Sequence, residues 1–212
     1  MTCQVIEMKK EKVIVYIDGF NLYFGLKEKK WKKFYWLNLK KLAKSLVKKE
    51  QILVYTKYFT SRIKHPPDKV KRQGTFIEAL EVLSNFKIFY GQYQSHKKEC
   101  SKCENITEIS NEKMTDVNIA VEMLKDAYQN KFDTAILISS DSDLSSPIIT
   151  INELFPEKKV IIAFPPARFS FMLNQIANHS FTIGRRKFEQ SILPENITKK
   201  DGYVLKRPIT WK

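Results

Sequence analysis

Two apolar runs that end in acidic residues constrain this chain more than any other feature. Val13-Ile-Val-Tyr-Ile17 is rich in β-branched residues and stops at Asp18-Gly19, and residues 132–138, the most apolar run, stop at Ser139-Ser-Asp-Ser-Asp143. A short apolar run without polar alternation is the pattern of a strand buried on both faces, and such strands belong to parallel sheets covered by helices. The segments around them agree. Asn38 is placed to cap a helix in which Leu39, Leu42, Ala43, Leu46 and Val47 recur at helical spacing and lysines fill the other positions. Residues 52–59 read as a strand, 66–84 as a helix opened by prolines, and 86–93 as a third strand. After a polar insertion at 94–113, Thr115 is placed to cap a helix with Val117, Ala120, Val121, Leu124 and Tyr128 as its inward stripe, and Ser146 followed by Pro147 opens another. A strand at 159–164, a helix at 169–177 and a short strand at 181–183 complete the alternation, which predicts an α/β fold: a central parallel sheet of about five strands with helices on both faces.

The composition narrows the class of function. Against 23 Asp and Glu stand 37 Lys and Arg, a formal charge of +14, so a polyanionic partner is expected and nucleic acid comes first. The basic residues concentrate in Lys30, Lys32 and Lys33, interleaved with Trp31, Phe34, Tyr35 and Trp36, and in Arg185, Arg186 and Lys187, which open a basic extension over residues 184–212. Aromatics among lysines suit single-stranded bases on a tracked backbone, or a packed core. No stretch reaches the roughly 18 apolar residues of a membrane span, and no secretory core precedes Lys9 and Lys10, so a cytoplasmic protein without a membrane partner is expected. The 6 glycines form neither a dinucleotide fingerprint nor a phosphate-binding loop, and His65 and His179 come without a nucleophile motif. Three cysteines do not make a disulfide framework. His96, Cys100 and Cys103 have a spacing suited to structural Zn²⁺, with Cys3, Glu99, Glu104 or a second chain as the fourth ligand; the alternative is reduced thiols in a loop.

In open α/β sheets the functional crevice lies beyond the carboxyl ends of the strands. Asp18, Asp141 and Asp143 fall there, and Asp116 opens the helix that leads into the second acidic strand end. Four carboxylates brought together raise one another's proton affinity, a penalty that Mg²⁺ or Mn²⁺ removes. A basic protein with such a pocket is the arrangement of a metal-assisted phosphodiesterase.

Three motifs then resemble the NYN family (the LabA-like or DUF88 type) of the PIN-like nuclease superfamily. These are Ile17-Asp-Gly-Phe-Asn-Leu-Tyr23, Lys113-Met-Thr-Asp-Val117 and Ile138-Ser-Ser-Asp-Ser-Asp-Leu144, spread over a domain spanning residues 12–183. The resemblance implies a PIN-like, Rossmannoid sheet and a metal-dependent ribonuclease. It makes Asp18, Asp116, Asp141 and Asp143 the Mg²⁺ or Mn²⁺ ligands and Asn21 an orienting amide among the catalytic residues. Ser140 stands where the family usually has Gly, Leu144 where it has Phe, and Glu122 where a further Asp is common. Six residues from Asp116, about 600° around a helix, Glu122 does not share its face and stays outside the metal shell. Two rival readings are an RNA-recruiting module without turnover and, from Asp141-Ser-Asp143 alone, a D-x-D glycosyltransferase that would leave Asp18, Asn21 and Asp116 unexplained.

Overall fold

The computed structural model describes residues 10–99 and 106–212. In chain order the first half runs β1 (Glu11–Asp18), α1 (Gly19–Glu28), α2 (Leu39–Leu46), β2 (Gln51–Thr60), α3 (Pro67–Glu81), β3 (Phe86–Tyr90), β4 (Gln92–Glu99) and β5 (Ile106–Lys113). The second half runs α4 (Thr115–Tyr128), β6 (Thr134–Ile138), α5 (Ser145–Leu154), β7 (Lys159–Phe164), α6 (Phe171–Ile176), β8 (His179–Thr182), α7 (Arg185–Glu189), β9 (Asn196–Thr198) and β10 (Val204–Lys206). The main sheet has six strands in the order β3-β2-β1-β6-β7-β8, every pair parallel. Chain direction along the sheet reverses between β1 and β6, so a crevice opens at that point on the carboxyl edge.

Strand alternation sorts the helices between two faces. Val13, Val15 and Ile17 of β1 pack with Leu22 and Leu26 of α1, Leu39 and Leu42 of α2 and Phe188 of α7. Ile14 and Tyr16, pointing the other way, pack with Ile119 and Met123 of α4, Ile148 and Ile151 of α5 and Leu173 of α6. Helices therefore cover both faces of a parallel sheet, as the alternating pattern implied. Asn38 does cap α2, its side chain accepting from the Lys41 amide at 2.8 Å. Among the described residues no helix is long and apolar enough to cross a membrane.

Several local expectations are corrected. The sheet has six strands, because residues 179–182 pair fully with β7. The strand expected at 86–93 divides at Gly91, and the polar insertion contains an antiparallel hairpin, β4 with β5, outside the main sheet. The basic extension holds α7 and the β9–β10 hairpin, whose Leu205 packs with Trp36. At the start of α4 the cap position falls on Met114, in the left-handed region at φ 76°, and Thr115 is the first helical residue. α5 starts at Ser145, one residue before the expected opening, and α6 starts two residues late, after Ser170, whose side chain accepts from the Leu173 amide.

The expected inward stripe of α4 is only partly inward: Val117, Val121 and Tyr128 are exposed, while Ala120 and Leu124 are half-buried and Leu124 packs against the core. The buried face carries Ile119, Glu122, Met123, Asp126 and Ala127. The reason is a charge from the neighbouring strand. Lys57 of β2 is buried and its Nζ lies 2.5 Å from both Glu122 Oε2 and Asp126 Oδ2, while Tyr16 Oη donates to Asp126 Oδ2 at 2.7 Å. A buried lysine needs carboxylates, and α4 turns its acids inward to meet it.

Candidate active site

Asp18 ends β1 and caps α1, and only 2% of its surface is exposed. Its Oδ1 accepts from the Asn21 amide at 3.0 Å, and its Oδ2 accepts from Asn21 Nδ2 at 2.7 Å and from Ser139 Oγ at 2.8 Å. Asn21 is held at its other end, because Ser140 Oγ donates to Asn21 Oδ1 at 2.7 Å. That bond leaves the amide NH₂ no choice but to face Asp18. Ser139 also accepts from the Asp141 amide at 3.1 Å, and Asp141 Oδ1 accepts from the Asp143 amide at 3.1 Å. One hydrogen-bonded chain thus joins the carboxyl ends of β1 and β6 where the sheet order reverses.

Burial pushes the Asp18 carboxyl above its ordinary value; the three donors oppose that push, and the negative charge of Asp141 adds to it. Asp141 is half-buried and Asp143 exposed. Asp116 is half-buried in the first turn of α4, beside Thr115, whose hydroxyl lies 3.5 Å from that of Ser61 at the end of β2. Glu122 pairs with Lys57 and with Lys125, at 2.9 Å. Lys57 lies two residues before Phe59, the β2 partner of Asp18, so this charge cluster sits roughly 7 Å below the carboxylate edge on the α4 side.

Among the described residues no three His, Cys, Asp or Glu side chains are grouped so as to hold a metal ion. The donor set at the edge nevertheless suits Mg²⁺, which takes one or two protein carboxylates and completes its shell with waters and substrate phosphate. Asp18 is a desolvated carboxylate pressed by the charge of Asp141, with no cation bonded to either of them among the described residues, and a divalent ion offsets that repulsion. Of the expected zinc ligands, Cys100 and Cys103 lie outside the described residues, as does Cys3, and His96 is described only by its backbone in β4.

The two basic clusters meet. Lys33 Nζ and Arg185 Nε approach the same oxygen, Glu189 Oε1, at 3.8 and 3.0 Å, and the Arg185 guanidinium lies 5.3 Å from the Trp31 ring centre. Lys187 Nζ donates to the Ser45 carbonyl, whereas Lys30, Lys32 and Arg186 are exposed. Trp31 and Tyr35 are half-buried and Trp36 fully buried, so the aromatic stretch serves both packing and surface.

The motif resemblance assigns the two serines no role, and Ser140 enters it only as a departure from the family's usual Gly. Ser139 and Ser140 follow an apolar strand and read as turn residues, yet their hydroxyls orient Asp18 and Asn21. Their signal was position, two hydroxyls at the carboxyl end of the strand beside β1.

The family model described as NYN domain matches residues 12–183. A search of curated proteins finds no match. Among solved structures, the chain is similar to a protein of unknown function, VPA0982 from Vibrio parahaemolyticus RIMD 2210633, at 19% identity and a TM-score of 0.55, over 87% of this chain and 97% of that one. At that identity the likeness speaks for the fold alone.

Proposed function

We propose, because this chain belongs to the NYN domain family of PIN-like nucleases, that it is a ribonuclease hydrolysing phosphodiester bonds with Mg²⁺ or Mn²⁺ at the edge formed by Asp18 and Asp141. The observation that carries this reading is the state of Asp18: a buried carboxylate at the sheet's reversal point, fixed by three donors and crowded by a second acid. Asp18 and Asp141 would hold the ion, with Asp116 and Asp143 supplying further acidic charge at the same edge. When bound, such an ion offsets phosphate charge and lowers the pKa of a water.

The chain's own residues do the positioning. Asn21, locked by Ser140, holds Asp18 in one rotamer, and Ser139 fixes the separation of Asp18 from the Asp141 backbone. Fixed ligands need no reorganisation as charge develops on the phosphate. Attack of water on phosphorus in line with the 3′ oxygen gives 5′-phosphate and 3′-hydroxyl ends. The net charge of +14 supplies the long-range attraction for the strand.

The deciding experiment compares homogeneous wild type with Asp18→Asn and Asp141→Asn on a labelled single-stranded RNA, with Mn²⁺ and with EDTA. Cleavage should need the metal and fall at least about 100-fold in either variant, equivalent to ~2.7 kcal/mol of transition-state stabilisation. RNA affinity in EDTA should hold or rise, since a negative charge is removed. Unchanged metal-dependent cleavage in both variants would overturn the assignment; absence of cleavage by wild type with retained binding would favour the recruiting module.

A further inference from the structure

A cavity of about 460 Å³ opens between α1, the turn at Lys32–Tyr35, the end of β2, the first half of α3 and the turn at Ile209–Trp211. That volume falls within the roughly 300–1,000 Å³ of small-molecule sites. Its wall is a continuous chain of rings. Phe24 meets Tyr23 with centres 5.3 Å apart, Tyr23 meets Tyr35 at 5.1 Å, and Tyr35 meets Trp211 at 5.8 Å. Trp211 in turn meets Phe76 at 6.1 Å, and Phe76 meets Tyr58 at 6.5 Å.

Charge selects among the ligands such a wall would accept. Lys27, Lys32, Lys69 and Arg72 line the cavity, no Asp or Glu does, and none of the four is in an ion pair among the described residues. Flat rings with uncompensated cations at their rim match a flat base carrying phosphates. The cavity also adjoins the carboxylate edge. Gly19, the residue after Asp18, lines it, and Tyr58 at its wall feels the Asp18 charge, which together with burial, the larger cause, holds the phenol up to about 12.

We propose that this cavity is a base-binding subsite of the nuclease, taking one unpaired base of the substrate strand among Tyr23, Tyr35 and Trp211 while Lys27, Lys32, Lys69 and Arg72 hold the adjoining phosphates. It rests on the ribonuclease reading and deepens it: a base held beside Gly19 places a neighbouring phosphodiester at Asp18. A base within a duplex is stacked on both sides and is not offered to the cavity, so the substrate is single-stranded.

The test measures anisotropy of a 5′-labelled single-stranded RNA octamer in EDTA, so that no cleavage intervenes. Wild type should bind it at least about tenfold tighter than Tyr35→Ala or Trp211→Ala, within the range of base-on-aromatic stacking, and tighter than the same octamer in duplex. Tyr35→Phe keeps the ring and should bind like wild type, which separates loss of stacking from loss of folding. Tyr128→Ala, on the exposed outer side of α4, should change nothing. A set of octamers with one abasic position each should reveal one position whose loss matches that of Tyr35→Ala, and Arg72→Ala should lower the salt slope by about one. Equal binding of abasic and intact octamers, or full affinity of the alanine variants, overturns the subsite while leaving metal-dependent cleavage untouched. Base-dependent binding by a protein that never cleaves would instead remove the nuclease reading and leave the subsite standing.

Discussion

At the scale of single residues, Asp18 is ionised where the fold makes ionisation costly, and the sign of the resulting pH dependence follows. Its folded carboxyl holds a proton more tightly than an unfolded aspartate, so its contribution to stability is full below the ordinary value of 3.8 and is lost as pH rises through the raised folded value. In metal-free buffer Asp18→Asn should therefore be at least as stable as wild type near about pH 7, with the gap closing toward about pH 4, as thermal melts in EDTA would show. Added Mn²⁺ should raise the melting temperature of wild type and not of the variant. Ser140→Ala removes one orienting bond to Asn21 and should lower the cleavage rate about 2- to 10-fold, the value of one hydrogen bond, without altering RNA affinity. Lys57→Met is of a different kind: it strands Glu122 and Asp126 in the core, and urea unfolding should show a loss of about 3–5 kcal/mol. The placement of Asp18 and Asp141 at the sheet edge is readable from the sequence because each stands at or just past an abrupt strand end, whereas Asn21 stands out only through the motif resemblance. Asp126 was not, since nothing local marks which lysine, 69 residues away, it will meet.

At the scale of elements, the alternation of strands and helices is legible in the sequence, and each departure from it has its own cause. α4 was read with its apolar residues inward, but Glu122 and Asp126 turn in toward Lys57, a partner that helical periodicity does not see. The hairpin β4–β5 read as an insertion because its segments are polar, and polar strands carry little of the apolar signal that marks buried ones. α1 escaped the pattern reading because its sequence is apolar on several sides, wedged between the sheet and the loop after β7. Gly19 and Gly25 permit that wedge: a Cβ on Gly19 would lie 2.6 Å from the Phe59 carbonyl oxygen, and one on Gly25 would lie 2.5 Å from that of Pro166. Backbone atoms cannot step aside as a side-chain tip does. Gly19→Ala should accordingly destabilise the protein by about 1–3 kcal/mol in urea unfolding and lower cleavage further by displacing Asn21, whereas Gly74→Ala, where nothing lies within 4 Å of the new methyl, should not destabilise.

At the scale of the whole molecule, the +14 charge is not spread evenly in its effect. Lys33 and Arg185 share Glu189, so part of their charge is answered within the protein, while Lys32 stands exposed at the cavity. Replacing Lys32 by Ala should reduce the salt slope of RNA binding by about one, and replacing Lys33 should reduce it less, as titrations from low to high salt would reveal. The sheet has its own large-scale consequence. β1, β2 and β3 are contiguous in the chain and assemble one half, whereas the hydroxyl that steadies Asp18 belongs to Ser139, 121 residues later, and arrives only when β6 docks against β1. A chain still emerging from the ribosome can build that first half around Asp18, but the third donor to its carboxylate arrives only with β6, so the finished geometry of this edge is a late product of folding.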